Sequence, residues 1–339
     1  MSTPSNSRSP LRALGGIARR PEAGSIVGLV VVYTFFAILG GPVFVGAPGW
    51  SSWLNIAAEV GIVALPVGLL MIAGELDISV GSVIPASSMT AAIVSGHYGL
   101  PAPIGIAAAL SVGVLAGFVN GFLVTRTRIP SLIVTIGTMF AVMGLTLGFA
   151  VLIAGSTSVF LVPDPITKAI LGTFIGGMFN VSMFWWTAFV FALFYLLHIS
   201  PIGNWIFAVG GDRESARNAG IPVRQLTVSL YMLSGFAAAF VGVLQLMTYQ
   251  SAQVAAGQSF IFNSIMCVVV GGVLLTGGAG SVVGIAIGTM TFAIVNQGIF
   301  FSGLDPNVGS LIIGALLLGA VLSNDTFRKL ALSYATKKS

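Results

Sequence analysis

The sequence is poor in charged residues. Lys, Arg, Asp and Glu make up 7% of its 339 residues, where a soluble domain has about 25%. Hydrophobic residues make up 56% of the chain, and the mean hydropathy is +1.03. A soluble fold has to cover its surface with polar side chains, and this composition does not supply them. We therefore exclude a soluble globular domain and expect a protein whose solvent is lipid.

Cysteine, histidine and lysine are also scarce, which excludes several chemistries. A single cysteine, Cys267, cannot form a disulfide within the chain, and zinc sites need several Cys or His ligands. His97 and His198 belong to no His-Glu-x-x-His motif, and no Lys follows a Gly as an ATP-binding P-loop requires. We predict no catalytic residue, no metal site and no cofactor bound by this chain.

Long apolar segments dominate what is present. A bilayer crossing takes roughly 20 apolar residues, and the segments predict an all-α fold, a polytopic transmembrane helical bundle of about ten spans. The eighth segment is short and followed by glycines, so the count near it stays open. The predicted spans are 25–44, 56–73, 80–97, 103–124, 131–154, 182–198, 226–246, 261–276, 282–299 and 307–322.

Basic residues predict the orientation of these spans. If the spans alternate, thirteen of the fourteen Lys and Arg residues fall on one side and only Lys168 falls on the other. Because cytoplasmic loops carry the excess of Lys and Arg, we predict cytoplasmic N- and C-termini. The net charge of +5 lies in short segments beside the spans and so indicates membrane lipid, not nucleic acid. We predict a disordered basic tail over 1–24, a single transmembrane domain over 25–322, and a cytoplasmic tail over 323–339.

One outer loop has helical periodicity. Ile166, Ile170, Phe174 and Met178 recur every four residues between the fifth and sixth spans. This spacing favours a short helix lying in the outer membrane interface. A loop that dips into the headgroups would give the same pattern, and both interpretations stay open.

Polar residues in or beside the spans are candidates for a translocation pathway, because a charge at membrane depth is costly and marks a pathway or an ion pair. Alternatively, Glu75 and Asp77 are solvated acids in an inner turn, with Asp77 or Ser79 capping the next helix. Glu59 could likewise reach water at the outer end. The predicted pathway residues are Glu59, Glu75, Asp77, Ser79, Asn120, Thr135, Thr138, Asn263 and Asn296.

The longest inside loop, residues 210–221, is polar, flanked by glycine and centred on a short helical core. It could be a knob that docks on a cytoplasmic partner or an ordinary solvated connector. In the first case the small residues Ala216 and Gly220 would let it seat closely in a cleft. The candidate docking residues are Gly211, Asp212, Arg213, Glu214, Ala216, Arg217 and Gly220.

Several segments, in order, resemble the permease subunits of bacterial ABC importers for ribose, xylose, arabinose and related solutes. Residues 74–82 are similar to that family's Gly-Gly-Ile-Asp-Leu-Ser-Val-Gly-Ser, and 130–139 to its Pro-Phe-Ile-Val-Thr-Leu-Gly-Thr-Met. Residues 210–221 resemble its Gly-Gly-Asn-x-Glu-Ala-Ala-Arg-x-Ser-Gly-Ile loop, and glycines near 271–281 match its later clusters. The resemblance covers residues 50 to 325, with three departures: Glu75 for Gly, and Ile261 and Asn263 for Glu and Asp.

The resemblance implies a permease in the bacterial inner membrane that imports a monosaccharide or related small polyhydroxylated solute. It also implies cytoplasmic ABC ATPase subunits that hold ATP and Mg, a periplasmic solute-binding protein and a second permease copy, identical or different. Residues 210–221 would then be the ATPase-coupling loop. The alternatives are an ABC permease for a nucleoside or signalling sugar, and a stand-alone ion-coupled transporter using Glu59, Glu75 or Asp77. The departures leave the solute open.

Overall fold

A computed structural model describes residues 23–303 and, beyond them, positions 305, 309, 311, 312, 314, 315 and 319. The described chain is almost entirely helical, so the predicted all-α polytopic bundle is confirmed. Most of the tenth predicted span lies outside the described residues, as do both termini, nearly all of the predicted N-terminal tail and the whole C-terminal tail.

The described chain forms twelve helices. Two of them, α3 and α7, continue as π-helical turns over Ala92–His97 and Tyr195–Ile199. The helices are α1 (Ala23–Val45), α2 (Ala47–Ile72), α3 (Val80–Ala91), α4 (Ala102–Arg126), α5 (Ser131–Ala154), α6 (Pro165–Leu171), α7 (Ser182–Phe194), α8 (Pro201–Gly211), α9 (Arg213–Asn218), α10 (Val223–Tyr249), α11 (Gln258–Val270) and α12 (Val282–Phe301).

Seven helices in the described part of the chain are long and apolar enough to cross a membrane. They are α1, α2, α4, α5, α7 with its extension, α10 and α12. The third predicted span coincides with α3 and its extension, and the eighth with the shorter α11. The count of about ten therefore stays a prediction. Within α1 the backbone leaves the helical region at Gly41 (φ 59°), immediately before Pro42.

Short antiparallel pairings join the loops at one end of the bundle. Strand β1 (Ser158–Phe160) pairs with β4 (Ser251–Gln253), and β2 (Phe174–Ile175) pairs with β3 (Phe179–Asn180) in a small hairpin. These strands are two or three residues long. The β1–β4 pairing fastens the outer loop between α5 and α7 to the end of α10, and neither pairing changes the fold class.

The helix predicted in that outer loop is present as α6, but it is shorter than the periodicity suggested. Asp164 begins it by accepting hydrogen bonds from Ile166 N (3.1 Å) and Thr167 N (3.0 Å). Ile166 and Ile170 are exposed on one face. Phe174 and Met178, which continued the pattern, belong to the hairpin region, because Gly172 ends the helix. Its position in the headgroups stays a prediction.

Helix α2 occupies the centre of the bundle and packs against α7, α10, α11 and α12. Helices α4 and α10 pack closely through glycine. A Cβ on Gly117 would lie 2.2 Å from the Tyr231 carbonyl oxygen, and one on Gly113 would lie 2.3 Å from that of Gly235. Such backbone contact is typical of membrane helices, because small residues let them approach where no hydrophobic effect drives association.

Contacts between the loops show which of them lie at the same end of the helical bundle. The turn between α2 and α3 contacts α9, and Gly278 N donates to Ile72 O at 2.8 Å, so these segments share one end. The β1–β4 pairing lies at the other. The first end carries Arg126, Arg213, Arg217 and Arg224, in agreement with alternating spans. Its assignment to the cytoplasm rests on the charge rule.

Candidate functional site

A short capped helix forms within the loop 210–221. Asp212 begins α9 by accepting a hydrogen bond from Ser215 N at 2.6 Å. That backbone hydrogen bond lowers the pKa of the exposed Asp212 carboxyl below its ordinary value. At the other end the backbone turns at Gly220 (φ 85°), and Ile221 N donates to Ala216 O at 3.1 Å. The loop is therefore a defined projection with its own start and stop signals.

The two faces of α9 differ in exposure. Ala216 is 4% exposed and packs into the core of its own chain. Glu214 and Arg217 have side chains that are 79% and 72% exposed, and they approach each other only to 4.0 Å. The expectation that Ala216 would seat in a partner's cleft is therefore wrong, because the small residue lies on the face that packs inward. The surface offered outward consists of Glu214, Ser215, Arg217, Asn218 and the residues around Gly220.

The first residue of α9 forms an ion pair with the turn between α2 and α3. Arg213 Nη1 contacts Glu75 Oε1, with side-chain exposures of 44% and 7%. Glu75, predicted for the pathway, and Arg213, predicted for the coupling loop, are therefore partners. Neither is a free charge in this arrangement. A carboxylate this buried needs such a partner, because an unpaired buried charge is strongly destabilising.

Glycines bring three chain segments into main-chain contact next to the start of α9. A Cβ on Gly210 would lie 1.8 Å from Ile72 O and 2.6 Å from Gly278 N. A Cβ on Gly277 would lie 2.9 Å from Gly210 O and 3.0 Å from the Gly74 Cα. Only glycine permits this approach, since any side chain would meet main-chain atoms. We call Gly74, Gly210 and Gly277–Gly278 the glycine node.

A buried polar network lies directly behind the turn. Asp77 is 1% exposed, and its Oδ1 accepts from Ser79 N (3.0 Å) and Ser79 Oγ (2.6 Å). Its Oδ2 accepts from Ser234 Oγ at 2.8 Å. Asn120 Nδ2 donates to Ser79 Oγ at 2.7 Å, and Thr138 Oγ1 donates to Asn120 Oδ1 at 2.6 Å. Each group donates to the next, from Thr138 of α5 through Asn120 of α4 and then Ser79 to the Asp77 carboxylate.

Asp77 and Ser79 take part in this network and do not cap α3 with their side chains, contrary to the expectation. No side chain caps α3. The amides of Ser82 and Val83 in its first turn are satisfied by the Ser79 carbonyl oxygen, at 2.9 and 3.0 Å. Asp77 is instead held between Ser79 and α10, because Ser234 faces the turn. The Asp77 side chain thus joins helices and does not begin one.

Three further predicted pathway residues lie on α5 and α11. Thr138 borders a surface groove of about 350 Å³ lined by Leu123, Ile133, Gly137 and other residues of α4 and α5. Thr135 is fully buried and donates to Ser131 O of its own helix at 2.9 Å. Asn263 is partly buried on α11. Their part in a pathway stays a prediction.

Glu59 and Asn296 lie apart from the Asp77 network, and each has its own partner. Glu59 Oε2 accepts from Gln245 Nε2 at 2.8 Å, and Asn296 Oδ1 accepts from Gln297 Nε2 at 3.1 Å. Glu59 lies thirteen residues before the end of α2, or roughly 20 Å along the helix axis. Neither of these contacts reaches the Asp77 network, and the part of Glu59 and Asn296 in a pathway stays a prediction.

Sequence reasoning missed Ser131, Tyr231, Ser234 and Gln245. Tyr231 Oη donates to Leu76 O at 3.0 Å, and Leu76 N donates to Ser131 Oγ at 3.2 Å. A signal existed on α10, where Thr227, Tyr231 and Ser234 follow an i, i+4, i+7 spacing and are all fully buried. That spacing places them on one helix face.

Metal ligands do not cluster in the described residues. Over 23–303 and the few described positions after them, no group of three or more His, Cys, Asp or Glu side chains is arranged to hold a metal ion. Cys267 is buried.

Comparison with known proteins gives consistent matches. Residues 49–321 match the family described as "Branched-chain amino acid transport system / permease component". The chain is 30% identical to the fructose import permease protein FrcC of Rhizobium meliloti, over 92% of this chain and 87% of that one. It is 31% identical to the autoinducer 2 import system permease protein LsrD of Salmonella paratyphi B, over 78% and 79%. A solved structure, PsaBC from Streptococcus pneumoniae in complex with Fab, aligns with a TM-score of 0.44 and 18% identity, over 83% of this chain and 89% of that chain.

Proposed function

This chain belongs to the family of branched-chain amino acid transport system permease components, and we propose that it imports a monosaccharide or related small polyhydroxylated solute. It is a transmembrane permease subunit of an ABC importer. Its relatives at 30% and 31% identity are import permeases named for fructose and for autoinducer 2. The similarity to an autoinducer 2 import permease makes a signalling sugar the alternative cargo.

The proposed assembly lies in a bacterial inner membrane and contains further subunits. Two permease copies would form the pore, a periplasmic binding protein would deliver the solute, and cytoplasmic ATPase subunits would bind ATP and Mg. Closure of the ATPases would move the permease helices as rigid bodies and alternate the access of the pathway. This chain would supply the pathway and the docking surface.

Helix α9 is the observation that carries the coupling part of the proposal. It is the capped projection of the longest loop at the basic end, and its outward face is polar and exposed. Exposed single ion pairs such as Glu214–Arg217 contribute only about 0–1 kcal/mol. Docking should therefore depend on the shape of this face more than on either charge.

A bulky residue on the outward face of α9 tests this docking. We expect Ser215→Trp to reduce ATP hydrolysis stimulated by solute-loaded binding protein, measured with the purified complex in lipid. Glu214→Gln should be milder. Unchanged stimulation and assembly in Ser215→Trp would reject α9 as the docking element.

The energy source distinguishes the importer from an ion-coupled transporter that would use Glu59, Glu75 or Asp77. We expect uptake of labelled monosaccharide by cells to stop when ATP is depleted and to continue with an uncoupler while ATP is maintained. Uptake with the opposite dependence would support the ion-coupled alternative. The contacts of Glu75 with Arg213 and of Asp77 with two serines favour structural roles for these acids.

A further inference from the structure

The turn between α2 and α3 contacts four different elements through neighbouring residues. Glu75 pairs with Arg213 of α9. Leu76 bonds Ser131 of α5 through its amide and Tyr231 of α10 through its carbonyl oxygen. We call residues 74–79 the junction turn.

The next residues of the junction turn add a second bond to α10 and a bond to α4. Asp77 accepts from Ser234 of α10 at 2.8 Å. Ser79 accepts from Asn120 of α4, which in turn accepts from Thr138 of α5 at 2.6 Å. The turn is therefore linked to α5 directly at Ser131, in the first turn of that helix, and through Asn120 at Thr138, two turns later.

Among the described residues, this ion pair is the side-chain link between the junction turn and the loop 210–221, and its two members differ in exposure. Glu75 is almost buried, whereas Arg213 is 44% exposed at the start of α9. A displacement of α9 must therefore either carry Glu75 along or leave a buried carboxylate without its partner. The second outcome is strongly destabilising, so the pair favours joint movement.

The glycine node leaves no flexible side chains between the two segments. Main-chain atoms of Gly210 approach those of Ile72 and Gly278 so closely that a Cβ would overlap them. Close-packed contacts of this kind transmit displacement and do not absorb it. The node therefore supports the ion pair in holding the base of α9 against the junction turn.

We infer that the junction turn is the joint that relays movement of α9 to α5, with the Glu75–Arg213 ion pair as its first link and the Asp77–Ser79–Asn120–Thr138 chain as its last. The inference rests on the proposed importer function. It assigns four positioning residues, which are Glu75, Arg213, Asp77 and Asn120. They act through α5, whose Thr138 borders the surface groove between α4 and α5.

A double-mutant cycle on the ion pair tests the joint. The variants are Glu75→Gln, Arg213→Gln and the two combined, each purified with its ATPase and binding protein and reconstituted in lipid. We expect each single variant to lower the stimulated part of ATP hydrolysis by about tenfold, within the usual range of coupling between distant sites. The double variant should be no worse than either single, because both remove the same link. Unstimulated hydrolysis should not change.

Conservative and matched variants separate coupling from folding. Glu75→Asp and Arg213→Lys keep the charges, and each should retain part of the stimulation that the neutral variants lose. Asp164→Asn with Lys168→Gln removes one acid and one base from the outer loop and should leave stimulation unchanged. The neutral double variant leaves no buried charge unpaired, so it should assemble even where a single variant does not.

Two results would overturn the inference. One is full stimulation in both assembled single variants, and the other is full stimulation in the assembled double variant. An unaltered complex that shows no stimulation by its loaded binding protein would instead refute the importer function on which the inference rests.

Discussion

Asp77 is held as an acceptor by three donor groups, the Ser79 amide and the hydroxyls of Ser79 and Ser234. Asn can keep the two bonds from Ser79 through its oxygen and can donate to Ser234, whose hydroxyl also accepts. We expect Asp77→Asn to retain most uptake. Asp77→Leu should destabilise the assembled complex by about 1–3 kcal/mol for each buried donor left unsatisfied, measured as loss of thermal stability. Complete loss of uptake in a normally assembled Asp77→Asn would contradict this account and indicate a role for the charge itself.

Two adjacent glycines give a matched comparison. A Cβ on Gly210 would overlap Ile72 O at 1.8 Å, whereas a Cβ on Gly211 meets no atom within 4 Å. We expect Gly210→Ala to lower the thermal midpoint of the purified chain strongly, because main-chain atoms cannot move aside. Gly211→Ala should leave the midpoint nearly unchanged. Equal midpoints for the two variants would show that the glycine node is not close-packed.

Single residues could be nominated from the sequence, but their partners could not. The cost of charge at membrane depth singled out Glu75 and Asp77, and the structure supplies their partners, whereas their part in a pathway stays a prediction. Nothing in the spacing connected Glu75 with Arg213, which lies 138 positions later. Ala216 was expected to let α9 seat in a partner's cleft, but it packs into its own chain, and one helical turn contains too few apolar residues to predict what its apolar side contacts.

Helix α9 depends on its N-terminal cap. The hydrogen bond from Ser215 N lowers the pKa of Asp212. Its stabilisation is therefore present above the ordinary carboxyl pKa of about 3.9 and is lost as the pH falls through the lower native value. Between pH 6 and 8, roughly two or more units above that ordinary value, the cap should make no contribution to the pH dependence of stimulated ATP hydrolysis.

Substitution at the cap provides the corresponding measurement. Asp212→Ala removes the acceptor and should weaken binding of the ATPase to the permease, while Asp212→Asn should retain most of it because Asn also caps. The readout is the affinity of the purified ATPase for the permease in lipid nanodiscs. Equal affinities for all three proteins would show that α9 does not need its cap to dock.

Long helices and two short ones, α6 and α9, were predictable, whereas the strands and the π-helical turns were not. Seven of the predicted spans appear as long apolar helices because an uninterrupted apolar run of that length has few alternatives in a bilayer. The strands of the β2–β3 hairpin have two residues each, too few for an alternating pattern. The π-helical ends of α3 and α7 also leave no signature in residue spacing.

Segregation of basic residues to one end makes the topology testable. Cys267 is the single cysteine of the sequence, so Cys267→Ser gives a background without thiols. Two exposed serines are replaced in that background. Ser156→Cys lies two residues before β1, and Ser215→Cys lies on α9. We expect an impermeant maleimide to label only Ser156→Cys in spheroplasts and both variants after permeabilisation. Labelling of Ser215→Cys in intact spheroplasts would reverse the orientation.

At the scale of the molecule, the sequence predicts which loops share a membrane side but not which loops touch. Alternation of spans and the Lys/Arg distribution suffice for the first. The meeting of Gly74, Gly210 and Gly277 depends on how α2, α8 and α11 pack, and each of these glycines taken alone looks like an ordinary helix end. The resemblance of their flanking motifs to one family was the only sequence signal that grouped them.

The short α11 has a consequence for biogenesis. Its 13 residues extend about 20 Å, less than the roughly 30 Å of a bilayer's hydrocarbon core. The irregular chain that follows satisfies its amides within the protein, through Leu274 N to Ala279 O at 3.2 Å and Gly278 N to Ile72 O at 2.8 Å. Lipid could not satisfy these groups. Because α2 precedes α11 in the chain, the acceptor of the Gly278 amide is made before this segment needs it.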